Sequence, residues 1–108
     1  MPRSARQYDL YLPVNDNDGR PIPDDVFKEV QRRLLARFRG LTSQQRDFPL
    51  QGIWQGGTRL YLDLVIIMTA LDFRRQGSAR FIAQLKQHLL REFDQLEILI
   101  TEQPLRVH

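Results

Sequence analysis

Apolar and polar residues alternate from Tyr8 to Val14, with Tyr8, Leu10 and Leu12 on one side and Asp9 and Tyr11 on the other. That two-residue period predicts a half-buried strand. Asn15 to Pro23 is dense in Asn, Asp, Gly and Pro, the composition of a loop. The period then lengthens. Val26, Phe27, Val30, Leu34 and Phe38 recur at three- and four-residue spacing, which predicts a helix from Asp24 to about Arg39. Asp24 and Asp25 suit its positive N-terminus, and Gly40 is placed to stop it as the residue after the last turn. Residues 41–49 have no clear period and read either as an irregular loop or as a short strand broken at Pro49. Leu50–Gln55 and Thr58–Thr69 form the expected arms of a hairpin across Gly56-Gly57. After a polar Asp72–Gly77 segment, Phe81 or Ile82, Leu85, Leu89 and Phe93 mark the buried stripe of a second helix starting near Ser78. Leu96–Gln103 is the last expected strand.

The order strand, helix, strand, strand, helix, strand predicts an α+β, ferredoxin-like βαββαβ domain. Right-handed crossovers would put both helices on one face of a four-stranded antiparallel sheet of order 4-1-3-2. The expected domain is single, residues 1–108, with 1–6 and 104–108 as flanking tails. Strand two would be an edge, where Pro49 costs little.

A Gly-Gly turn would set Trp54 opposite Arg59 and Gly52 opposite Tyr61. Ile53, Leu60, Leu62, Leu64 and Ile66 would then lie under the helices. Trp54, Arg59, Tyr61, Asp63, Val65 and Ile67 would share the open face with Asp9, Tyr11, Glu97, Leu99 and Thr101. On this reading Tyr61 covers Gly52 and Trp54 stacks on Arg59. A face bearing Tyr11, Trp54, Tyr61, Val65, Ile67 and Leu99 is too apolar to be left in water.

Composition narrows the chemistry. The 108 residues include no cysteine, which removes disulfides, thiol nucleophiles and Cys-based metal sites. The net charge is +3, but all but two of the 16 cations are Arg, and the densest block (Lys28, Arg32, Arg33, Arg37, Arg39) lies on the first predicted helix, as a solvated face would. The N-terminus lacks the apolar core of a signal peptide, and the longest apolar run, Leu64 to Met68, is too short to cross a bilayer. A cytoplasmic protein with no membrane contact is the expectation.

The layout resembles a domain-of-unknown-function family of small bacterial proteins. The residues that carry the resemblance are Gly19 and Ile22, Phe38, Gly40 and Thr42, Gly52 and Trp54, and Phe93 and Gln95. The resemblance implies the same fold and a role for Trp54. It supplies no activity, since that family has none assigned. Its members often carry an export signal, which this chain is expected to lack, so their localisation is not expected to carry over.

Three functional classes follow. The first is a homodimeric binding module using the open face, with a small-molecule pocket formed in the packing and Asp9, Asp63 and Arg59 as its polar groups. The second is a cofactorless enzyme of the dimeric α+β barrel type, with Tyr61, Asp63 and Asp9 around an organic substrate; it rests on fold analogy. Asp9 and Asp63, on adjacent strands, could split their pKa values or hold a divalent cation, but the favoured reading makes them rim polar groups paired with Arg59 or with an Arg of a partner chain. The third is a nucleic-acid binder, disfavoured because the chain lacks the basic-Gly-aromatic signature and its aromatic face is acidic. His88 and His108 have no ligand spacing around them, and Asp16 and Asp18 lack the downstream Glu of a calcium loop. No catalytic residue, metal site or cofactor is assigned from the sequence.

Overall fold

The structure, a computed structural model, describes residues 2–108. Its elements are β1 (Arg3–Pro13), α1 (Asp24–Phe38), β2 (Thr42–Ser43), β3 (Leu50–Gly56), β4 (Arg59–Asp72), α2 (Ala79–Glu92) and β5 (Ile100–Val107). All pairings are antiparallel. The sheet order is β2-β4-β1-β5, with β3 also on β4.

Five strands replace the expected four, so the ferredoxin-like sheet of order 4-1-3-2 is not what forms. The difference lies in residues 41–49. Ser43 pairs with Met68 and Leu50 with Val65, so residues 44–49 stand opposite only Ile66 and Ile67 and must leave the sheet. Gln44 fills the gap. Its N–H donates to the Ile67 carbonyl at 3.2 Å, and its side-chain Oε1 accepts the Ile67 N–H at 3.0 Å. A side chain thus replaces a backbone partner, which no hydrophobic period reports.

The expected tails are strands as well. Arg3 pairs with Val107 and Arg6 with Pro104. Because β5 is an edge, the missing N–H of Pro104 leaves no gap in the sheet interior. The first helix also ends differently. Arg39, not Gly40, takes the left-handed conformation (φ 65°), and its N–H donates to the Leu35 carbonyl at 2.9 Å.

The core lies between one sheet face and both helices. Tyr8, Leu10 and Leu12 of β1 and Ile66, Met68 and Ala70 of β4 meet Phe27, Val30 and Leu34 of α1 and Leu85 and Leu89 of α2, with Phe93 beyond it. Phe27 meets Phe93 edge to face, 5.2 Å between centroids. At the α2 end of the sheet, buried Asp72 accepts the Ser78 hydroxyl at 2.6 Å and the Arg74 N–H at 3.0 Å.

The helices cover only part of the sheet, for reasons of length. The 14 residues of β4 extend about 46 Å at ~3.3 Å per residue. The 15 residues of α1 reach only about 22 Å at 1.5 Å per residue. The β3–β4 hairpin therefore projects past the helices. The molecule is 47 Å long, and its radius of gyration is 14.7 Å against about 13 Å for a compact chain of this size.

Candidate binding surface

The hairpin turns at Gly57-Thr58, one residue later than Gly56-Gly57, with Gly57 at φ 63°. Moving the turn by one residue moves each cross-strand partner by two, so Trp54 faces Tyr61 and Gly52 faces Asp63. An even shift keeps every side chain on its face. Trp54, Tyr61, Asp63, Val65 and Arg59 thus share the side away from the helices. The glycine partners are exchanged. A β-carbon on Gly52 would lie 3.2 Å from Trp54 Nε1, and one on Gly56 would lie 3.3 Å from the Tyr61 ring. Trp54 lies over Gly52 and Tyr61 over Gly56, in place of the expected Trp54–Arg59 stack and Tyr61–Gly52 contact.

The opposite side of the hairpin departs further from expectation. Ile53, Leu60, Leu62 and Leu64 have the parity of the core residues, yet they are 62%, 68%, 63% and 44% exposed. They lie beyond the reach of α1 and α2. Leu50, Trp54 and Tyr61 on the other face are 44%, 51% and 49% exposed. Both faces of one ribbon carry large, uncovered apolar side chains among the described residues.

Below the hairpin, the open face divides into two zones. A polar row crosses four strands through Thr42, Thr69, Asp9 and Thr101. Asp9 is half-buried there and accepts the Thr69 hydroxyl at 2.6 Å and the Gln7 amide at 3.1 Å. Next to it is an apolar row of Ile67, Tyr11 and Leu99, the Tyr11 N–H donating to the Leu99 carbonyl at 3.0 Å. Val65, Pro13 and Leu50 continue the apolar zone into the hairpin.

Asp9 and Asp63 are not neighbours. Asp9 pairs with Thr69, six residues along β4 from Asp63, a separation of about 20 Å. Asp63 is also exposed, so burial imposes no cost that would demand a partner. Glu97 is not on the open face either. It pairs with Lys86 of α2 at 2.8 Å, which holds its carboxyl below the ordinary range, helped by the Ile98 N–H. Asp16 spends its carboxylate inside its own loop, accepting the N–H groups of Asp18 and Arg20. Among the described residues no group of three or more His, Asp or Glu is arranged to hold a metal ion.

A groove of about 700 Å³ between α1 and residues 43–47 has no counterpart in the sequence reading. Arg46 is one of its lining residues. Its guanidinium lies 4.6 Å from the Phe27 ring centroid, donates to the Ile22 carbonyl at 2.6 Å and meets Asp24 at 3.3 Å. Residues 41–49 carry no period, so nothing in the pattern placed Arg46 against α1. No helix is long and apolar enough to cross a membrane. Compared with protein-family models, with curated proteins and with solved structures, the chain matches none.

Proposed function

We propose that the protein is a homodimeric binding module: a second copy packs against the projecting hairpin, and the open sheet face is the working surface. The observation that carries this is the two-faced apolar ribbon. Its seven large apolar side chains are each 44–68% exposed, four on one face and three on the other, the kind of uncovered apolar surface that marks an interaction site.

The open face supports the second half of the proposal. Its half-buried carboxylate, three threonines and adjoining Tyr11–Ile67–Leu99 row offer hydrogen bonds beside apolar contact, the mixture that small organic ligands use. The cations of α1 give little support to a nucleic-acid reading. Lys28 pairs with Asp24, and Arg32 and Arg33 both pair with Glu29. Arg37 turns inward to Ser78 and Gly77.

Light scattering on wild type, Leu62→Asp and Arg33→Glu tests the assembly. Dimeric wild type, at least about tenfold weaker association in Leu62→Asp and an unchanged Arg33→Glu would support it. Chemical-shift mapping with a fragment library tests the face. Binders that perturb Asp9, Tyr11, Thr69 and Leu99 support it, whereas binders confined to Arg46 and Gln44 would move the site to the groove.

A further inference from the structure

The two edges of the sheet are built differently. β5 carries Glu102, Pro104 and Arg106 along its free edge, the charges and proline that discourage another strand from pairing. β3, Leu50–Gly56, has seven residues and no charge, and among the described residues it pairs only with β4. One edge is blunted and the other is open.

Backbone parity identifies which groups the open edge offers. A two-residue turn makes Gly56 and Arg59 a hydrogen-bonded pair, and such pairs alternate along an antiparallel ladder. Odd-numbered residues of β4 therefore point their N–H and C=O toward β3. Two bonds confirm this phase. Ile67 engages Gln44 on that edge through both groups, whereas Leu64 accepts from Val14 on the opposite edge. On β3, Gly56, Trp54, Gly52 and Leu50 then bond to β4, and Gln51, Ile53 and Gln55 point outward.

These residues are self-complementary. Set antiparallel to itself about Ile53, the stretch Leu50–Gly56 puts Ile53 opposite Ile53 of a second copy. Gln51 meets Gln55, amide to amide. Gly52 meets Trp54, and Gly56 meets Leu50, so each glycine faces a large side chain and no two bulky groups collide. An isologous two-fold contact requires this kind of match.

We propose that β3 pairs antiparallel with β3 of a second copy about a two-fold axis at Ile53, joining two sheets into one. This rests on the homodimer reading above and specifies its contact: the hairpins join edge to edge, with Ile53 and its symmetry mate lying between the two Leu62 side chains while the sheet faces stay open. About six backbone hydrogen bonds form, two from each outward residue pair. The two-fold axis stands perpendicular to the joined sheet, so both open faces lie on the same side. Trp54 and Tyr61 of both copies then sit in the middle of one double-length platform.

The chain has no cysteine, so single-cysteine probes report without interference. Ile53 and its symmetry mate would stand about 5.5 Å apart at Cα, within disulfide range. Ile53→Cys is expected to oxidise mostly to a disulfide dimer, whereas Ile67→Cys on the open face remains monomeric on denaturing gels. In the unsubstituted protein, exchange of the Gln51, Ile53 and Gln55 amides is expected to slow at least about tenfold as concentration rises through the dimerisation range. A dimer that leaves those three amides unprotected and does not crosslink through Ile53→Cys or Ile67→Cys would overturn edge pairing and leave a homodimer joined elsewhere on the hairpin standing. A monomer at all concentrations would overturn both.

Discussion

Trp54 lies across Gly52, its indole Nε1 3.2 Å from the point where a β-carbon on that glycine would sit. The absent side chain gives the indole a flat seat on an exposed ribbon. Gly52→Ala puts a methyl group at that distance, so the ring must tilt. As Trp54 is the only Trp, its emission reads the change directly. A shifted emission maximum is expected, with a stability change within about 1 kcal/mol because the site is exposed. Unchanged emission would mean that the indole does not rest on Gly52.

Arg39 ends α1 at φ 65°, a conformation that costs a side-chain-bearing residue roughly 1 kcal/mol. Glycine adopts it without strain. Arg39→Gly is therefore expected to stabilise the fold by about 0.5–1 kcal/mol in urea unfolding, although it removes a surface cation. Destabilisation by a similar amount would show that the guanidinium matters more than the backbone.

Asp72 carries the pH dependence of the α2 end. Burial alone would push its carboxyl up, but the Ser78 hydroxyl, the Arg74 N–H and the Arg74 guanidinium together hold it below the ordinary value. A group depressed in the folded state contributes stability above its unfolded pKa, near 4, and that stability is lost as pH falls through the lower folded value. Stability is expected to fall below about pH 4, and Ser78→Ala should cost about 1–3 kcal/mol at neutral pH by leaving the carboxylate under-bonded. Equal stability of wild type and Ser78→Ala at pH 7 would count against this pairing.

Leu10 and Leu62 separate the core from the arm. Leu10 is fully buried and Leu62 is 63% exposed. Leu10→Ala is expected to cost about 2–5 kcal/mol. Leu62→Ala should stay within about 0.5 kcal/mol in dilute solution and lower stability only where the wild type associates. A large cost for Leu62→Ala in dilute solution would mean that the hairpin belongs to the core.

Much of this architecture is legible in residue spacing. The period at Tyr8, Leu10 and Leu12 and the stripe through Phe27, Val30 and Leu34 place the core. The faces of Trp54 and Tyr61 also survive, because a one-residue error in the turn moves partners by two. What escapes the pattern has physical causes. Leu60, Leu62 and Leu64 read as core because parity says which way a side chain points, not whether a helix is long enough to reach it. Thr42 joins the sheet through a two-residue strand, shorter than any period can register. Pro104 and Arg106 look like a tail because a blunted edge strand lacks the apolar alternation of a central one. The Asp9–Asp63 pairing failed on register alone, since adjacent strands bring together only residues at matching heights.

The central claim is that a second copy packs against the hairpin, and sedimentation equilibrium of the wild type at tens of micromolar tests it most directly. A species of twice the 12.8 kDa chain mass is expected, dissociating on dilution. A single 12.8 kDa species across that range would contradict the claim and leave the two-faced apolar hairpin without the partner proposed for it.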